Sequence, residues 1–120
     1  MKKLSSHNEN FHINVLIPCY KEINVIKETL EHFKCITQSQ KNIDIYVITT
    51  EKEKFENSSF STTYEYLLDL EIFDSSQFHI LNYPKITGIM ADQLNYAMNE
   101  ILHKQNLPLN RVYFSVYNAD

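Results

Sequence analysis

A single glycine, Gly88, occurs in 120 residues, and that scarcity removes the commonest phosphate-binding loops. A dinucleotide fingerprint or a P-loop needs two or more glycines, so that backbone amides can approach phosphate oxygens closely. Cysteine is almost as scarce. Cys19 and Cys35 have neither metal-ligand nor redox spacing, and two unbridged thiols in a reducing compartment is the plain expectation. Long apolar runs are missing too. None approaches the ~20 residues needed to span a bilayer. The opening MKKLSSHNEN has a lysine pair with no apolar stretch behind it, unlike a secretory leader. Surplus positive charge is also absent. A net charge of −4 speaks against nucleic acid as a partner, because neutralising phosphates takes an excess of Lys and Arg. It speaks equally against a polybasic membrane patch.

Against these absences stands a hydrophobic pattern whose period switches repeatedly. Length and composition fit one globular domain or part of a larger one. His12 to Pro18 (HINVLIP) is a short β-branched run ended by proline, which predicts a buried strand. Ile23, Ile26, Leu30, Phe33 and Ile36 then recur at helical spacing between Glu22 and Ile36. Ile43 to Thr49 predicts a second strand, and Phe60, Tyr64, Leu67 and Leu68 a second helix within Ser59 to Phe73. Phe78 to Tyr83 is strand-like and is stopped by Pro84. Met90, Leu94, Ala97, Met98 and Ile101 mark a third helix, and Arg111 to Tyr117 a fourth strand. The order β-α-β-α-β-α-β predicts an α/β, Rossmann-like domain with a parallel sheet and right-handed crossovers. Residues 1–11 are expected to form a flexible tail, and Glu51 to Ser59 a mobile loop at a strand end. Ligands in open α/β sheets bind outside the carboxyl ends of the strands.

Four segments at those ends carry candidate chemistry. Ile17-Pro18-Cys19-Tyr20-Lys21-Glu22 leads into the first helix. Its tyrosine offers a flat apolar face and a hydroxyl, and its glutamate can accept hydrogen bonds from neighbouring hydroxyls. Pro18 could equally just end a strand, and Glu22 just favour a helix N-terminus. Ile48-Thr49-Thr50-Glu51 closes the second strand. Gly88-Ile89-Met90-Ala91-Asp92-Gln93-Leu94-Asn95-Tyr96-Ala97 opens the third helix, where Asp92 could face a ligand or favour the helix dipole. Met90 and Leu94 read as core. Val116-Tyr117-Asn118-Ala119-Asp120 follows the fourth strand. The five histidines (His7, His12, His32, His79, His103) form no spaced ligand pair and read as surface or filler.

Taken in order, the four segments resemble the donor-binding part of a family 2 glycosyltransferase, of GT-A type, from Ile13 onward. Pro18, Tyr20 and Glu22 match its Pro-x-Tyr-Asn-Glu turn, with Lys21 in place of Asn. Leu94, Asn95 and Ala97 match the helix stretch, in which Ile89 and Met90 stand where a basic residue is usual; Lys85 is a nearby substitute. Thr49 and Thr50 replace the acids of an Asp-Asp-Gly-Ser turn, and Asn118 replaces the first acid of Asp-x-Asp. The resemblance implies that Pro18, Tyr20, Glu22, Thr49, Thr50, Asp92, Asn95 and Asn118 contact a nucleotide sugar. It also implies that Asp120 holds Mg²⁺ or Mn²⁺ against the sugar diphosphate.

The implied activity is sugar transfer from a nucleotide diphosphate donor to a glycan, lipid or protein acceptor. The implied location is the cytoplasm, with association at the inner membrane face only through sequence beyond this chain. The fold would then be an incomplete GT-A domain, residues 12–120, ending at the Asp-x-Asp position, and no residue can be assigned as general base. Cut there, RVYFSVY would be an apolar edge strand prone to self-association. The alternative is a non-catalytic nucleotide-binding module or an inactive truncated product. A receiver or flavodoxin-like domain fits less well, because acids are missing at the strand ends. A nucleotidyltransferase lacks its glycine-rich loop here.

Overall fold

A computed structural model describes residues 11–56, 61–105 and 108–118. Four parallel strands form one sheet: β1 (His12–Pro18), β2 (Ile43–Thr50), β3 (Phe78–Tyr83) and β4 (Val112–Val116), in the order β3-β2-β1-β4. The long helices are α1 (Ile23–Thr37) and α4 (Met90–Lys104); two short ones, α2 (Lys52–Glu56) and α3 (Thr63–Leu68), lie between β2 and β3. The fold is thus the α/β, Rossmann-like one that the alternating periods predict.

Strand alternation distributes the core to two faces. On one face Val15, Ile17, Ile45, Val47 and Phe78 pack with Ile26 and Leu30 of α1 and Leu67 of α3. On the other, Leu16, Tyr46 and Ile48 pack with Ala97 and Ile101 of α4. Each fully buried aliphatic side chain contributes about 1.5–3 kcal/mol, so both helix layers are held mainly by apolar area. The chain steps from β1 to β2 to β3 in one direction, then returns through α4 to place β4 on the far side of β1. That reversal puts α1 and α4 on opposite faces and opens a crevice between the ends of β1 and β4, the usual ligand position in such sheets.

The segment read as one helix over Ser59 to Phe73 divides. Residues 57–60 lie outside the described ones; α3 covers Thr63–Leu68, and a 3-10 turn covers Glu71–Asp74. Thr62 fixes the start of α3 by a capping box, its hydroxyl accepting from the Glu65 amide at 3.1 Å while Glu65 accepts from the Thr62 amide at 3.0 Å. The stretch expected to be a mobile loop holds α2 instead, and its Glu53 is buried. Phe11, assigned to the flexible tail, has its ring 5.4 Å from that of Tyr113; residues 1–10 lie outside the described ones.

Among the described residues no helix is long and apolar enough to cross a membrane. β4 lies at a sheet edge, with Tyr113 and Val116 exposed. Unpaired edge strands with apolar side chains recruit other strands. Concentration-dependent self-association of the 120-residue chain is therefore expected in light scattering, and Val116→Lys is expected to reduce it.

Candidate functional site

A cleft of about 430 Å³ lies over the carboxyl ends of the strands, within the size range of small-ligand pockets. Its lining includes Pro18, Cys19, Tyr20 and Glu22 from the β1–α1 turn, Thr50 and Lys52 from the end of β2, and Tyr83 from β3. Gly88, Ile89, Met90 and Gln93 contribute from the start of α4, and Asn118 from beyond β4. Three of the four sequence segments thus reach it directly at the topological switch point, and the segment ending β2 reaches it through Thr50.

Glu53, outside the lining, holds the turn that carries Tyr20 and Glu22. Its Oε2 accepts from the Lys21 amide at 2.7 Å, and its Oε1 accepts from the Thr63 amide at 2.9 Å and the Thr63 hydroxyl at 3.1 Å. The Thr63 hydroxyl oxygen in turn accepts from the Glu22 amide at 3.1 Å. One buried carboxylate therefore ties the β1–α1 turn to the start of α3. The backbone at Lys21 is left-handed, with φ of 57°, a region that Asn tolerates far better than Lys. Lys21→Asn is expected to raise the unfolding free energy by about 0.5 kcal/mol, the lost exposed Lys21–Glu56 contact at 3.8 Å being worth little. Urea denaturation would measure it.

The floor is held by Gln93. Its Nε2 donates to the carbonyls of Ile48 at 2.9 Å and Cys19 at 3.2 Å, pinning α4 to the ends of β1 and β2. Gly88 precedes α4 at φ of 115°, and a Cβ there would come within 2.9 Å of Asp92 Oδ2. The sole glycine of the chain is thus needed for the turn into this helix. The Tyr20 hydroxyl donates to Glu56 Oε1, which raises the tyrosine pKa and lowers that of the carboxylate. Lys21 and Lys52 place their ammonium groups 5.0 and 5.3 Å from the Tyr20 ring centroid.

Of the residues singled out in the sequence, Pro18, Tyr20, Glu22, Thr50 and Asn118 line the cleft, whereas Thr49, Asp92 and Asn95 do not. Thr49 is one residue out of phase. Alternation turns it to the α1–α3 face, where it is buried and donates to Asn82 Oδ1 at 2.8 Å. Asp92 turns back on its own helix and accepts from the Ile89 amide at 2.8 Å. Asn95 is exposed on α4. Asp120 lies outside the described residues.

Sequence reading missed Lys52, Tyr83 and Gln93. It also assigned Met90 to the core, although Met90 is exposed and lines the cleft. Lys85, the suggested basic substitute, is exposed away from the lining. A glutamine one turn into a helix that must cross bare strand ends was the available clue for Gln93. Lys52 had none in its local pattern. Among the described residues no group of three His, Cys, Asp or Glu side chains could hold a metal ion.

A second polar cluster occupies the opposite end of the sheet. His12 Nε2 lies 2.5 Å from Asp44 Oδ2, and His79 Nε2 lies 2.9 Å from Asp44 Oδ1. The His79 ring stacks on Tyr46 at 4.4 Å between centroids. These two histidines are therefore partnered, unlike the surface or filler role read for them. Burial pushes the Asp44 pKa up, but hydrogen bonds and charge from the two histidines outweigh it and leave it lowered. A carboxylate with a lowered folded pKa stabilises above its unfolded value of about 4, and that contribution is lost as pH falls through the folded value. Asp44→Asn is expected to cost about 1 kcal/mol at pH 6 and progressively less below about pH 4, by denaturation at both pH values.

No protein-family model, curated protein or solved structure matches the chain.

Proposed function

We propose that the chain supplies the donor-binding part of a family 2 glycosyltransferase, transferring sugar from a nucleotide diphosphate to a glycan, lipid or protein acceptor. The observation that supports this reading most is the convergence of Pro18, Tyr20, Glu22, Thr50 and Asn118 on one cleft at the switch point between β1 and β4. In this role Tyr20 stacks on the base and Glu22 accepts from ribose hydroxyls. Thr50 meets the base edge, and Asn118 hydrogen-bonds the sugar diphosphate. Asp120 holds Mg²⁺ or Mn²⁺. Transfer also needs a carboxylate to take a proton from the acceptor hydroxyl, and no described residue is assigned to that step. Such a protein acts in the cytoplasm, where its donors are made, and reaches the inner membrane face only through further sequence.

Thr49, Thr50 and Asn118 stand where the family pattern has acids, and this favours a second reading, a module that binds a nucleotide without transfer. A thermal-shift titration with UDP, GDP and their sugars, with and without Mn²⁺, tests the donor site. A ligand that binds only the folded state raises Tm with its concentration. A metal-dependent rise, lost in Asp120→Ala, is the expected result. No rise with any nucleotide would sink both readings; if a rise is seen, the intact mass of the native protein separates them, the first reading requiring a product well beyond 14.2 kDa.

A further inference from the structure

We infer that Lys52 binds the diphosphate of the ligand, supplying from α2 the positive charge that the start of α4 lacks; this rests on the donor-site reading above. Lys52 is the only basic residue lining the cleft among the described residues. Its ammonium lies 3.4 Å from the Gly88 carbonyl and 5.3 Å from the centroid of Tyr20. Among the described residues no carboxylate comes within ion-pair distance of it. Its direct partners are a neutral carbonyl and a ring face, both weak for an ammonium, and the exposed Glu56 carboxylate acts on it only at longer range. A phosphate oxygen would offer a charge-assisted hydrogen bond roughly twice as strong.

The lysine is also held in place. Its amide donates to the Thr50 hydroxyl at 3.2 Å, and the next residue, Glu53, is clamped to Lys21 and Thr63. The side chain therefore leaves a fixed backbone and spans from the end of β2 to the Gly88 turn. The N-terminus of α4 at that turn is already capped by the Asp92 carboxylate, so Lys52 is the positive charge that the lining offers an anion. With Glu22 as the carboxylate of the lining and Lys52 as its ammonium, the cleft suits a ligand with both hydroxyl and anionic parts. Such a ligand is a nucleoside diphosphate rather than a nucleoside.

Isothermal titration in Mn²⁺ buffer with uridine, UDP, guanosine and GDP tests this. The wild-type chain is expected to prefer a diphosphate to its nucleoside. In Lys52→Gln the diphosphate weakens at least tenfold while the nucleoside changes less than twofold, and Lys52→Arg stays within about threefold of wild type, Arg being another phosphate-binding cation. An unchanged diphosphate preference in Lys52→Gln, or equal wild-type affinity for nucleoside and diphosphate, would overturn the role of Lys52 while leaving a nucleoside site. Failure of the wild type to bind any of the four would overturn the donor-site reading, and the role of Lys52 with it.

Discussion

Glu53→Ala is expected to lower the unfolding free energy by about 3 kcal/mol, the largest effect of any single truncation around the cleft. The carboxylate is buried and accepts three hydrogen bonds, from the amides of Lys21 and Thr63 and from the Thr63 hydroxyl. Alanine leaves these donors facing a small void, and each unsatisfied buried donor costs about 1–3 kcal/mol. Apolar area contributes little to the difference. Glu53→Gln provides a sharper comparison, because the shape is kept but one oxygen becomes an NH₂ group facing a backbone N–H. It is expected to recover less than half of the loss in urea denaturation. Full recovery would mean that volume, not the carboxylate, holds the β1–α1 turn to α3.

Gln93 gives the second large effect. Its amide nitrogen donates to two carbonyls at the strand ends, and the residue is buried. Gln93→Leu loses both bonds and is expected to cost about 2 kcal/mol. In Gln93→Glu an acceptor-only carboxylate faces two acceptors, and the cost at pH 7 is on the order of 3–5 kcal/mol. Burial beside carbonyls raises the pKa of the introduced carboxyl. The penalty is therefore full above that raised value and shrinks as pH falls toward the ordinary Glu value of about 4. Denaturation at pH 7 and pH 4 measures this. A Gln93→Glu variant as stable as wild type at pH 7 would contradict the assigned hydrogen bonds.

These two residues show where the sequence is legible and where it is not. β1 and β3 occur at the bounds that short strand-like runs and a proline at or just after their ends mark, His12–Pro18 and Phe78–Tyr83. α1 and α4 follow their helical periodicities because each buries one apolar stripe. Between β2 and β3 the periodicity misleads. The Thr62–Glu65 capping box sets the helix start, and a buried carboxylate orders a segment whose composition is that of a loop.

The same divide holds in the cleft. Pro18, Tyr20 and Glu22 are adjacent in sequence and are found through a local motif. Lys52 and Gln93 act through contacts with Gly88, Cys19 and Ile48 that lie 36, 74 and 45 residues away. Local spacing carries no information about such distances. Thr49 and Thr50 illustrate a finer limit: the strand end is legible, but which of two adjacent hydroxyls faces the ligand depends on the register of the pleat. His12, Asp44 and His79 sit on three different strands, so only the parallel register brings them together.

The most direct test of a nucleotide site at this crevice is a ¹H–¹⁵N correlation spectrum of the chain titrated with UDP and with GDP in Mg²⁺ buffer. Saturable shifts confined to the amides of Tyr20, Glu22, Thr50, Lys52, Gln93 and Asn118 are expected for at least one of them. No saturable shifts, or shifts centred on the His12–Asp44–His79 end of the sheet, would contradict it.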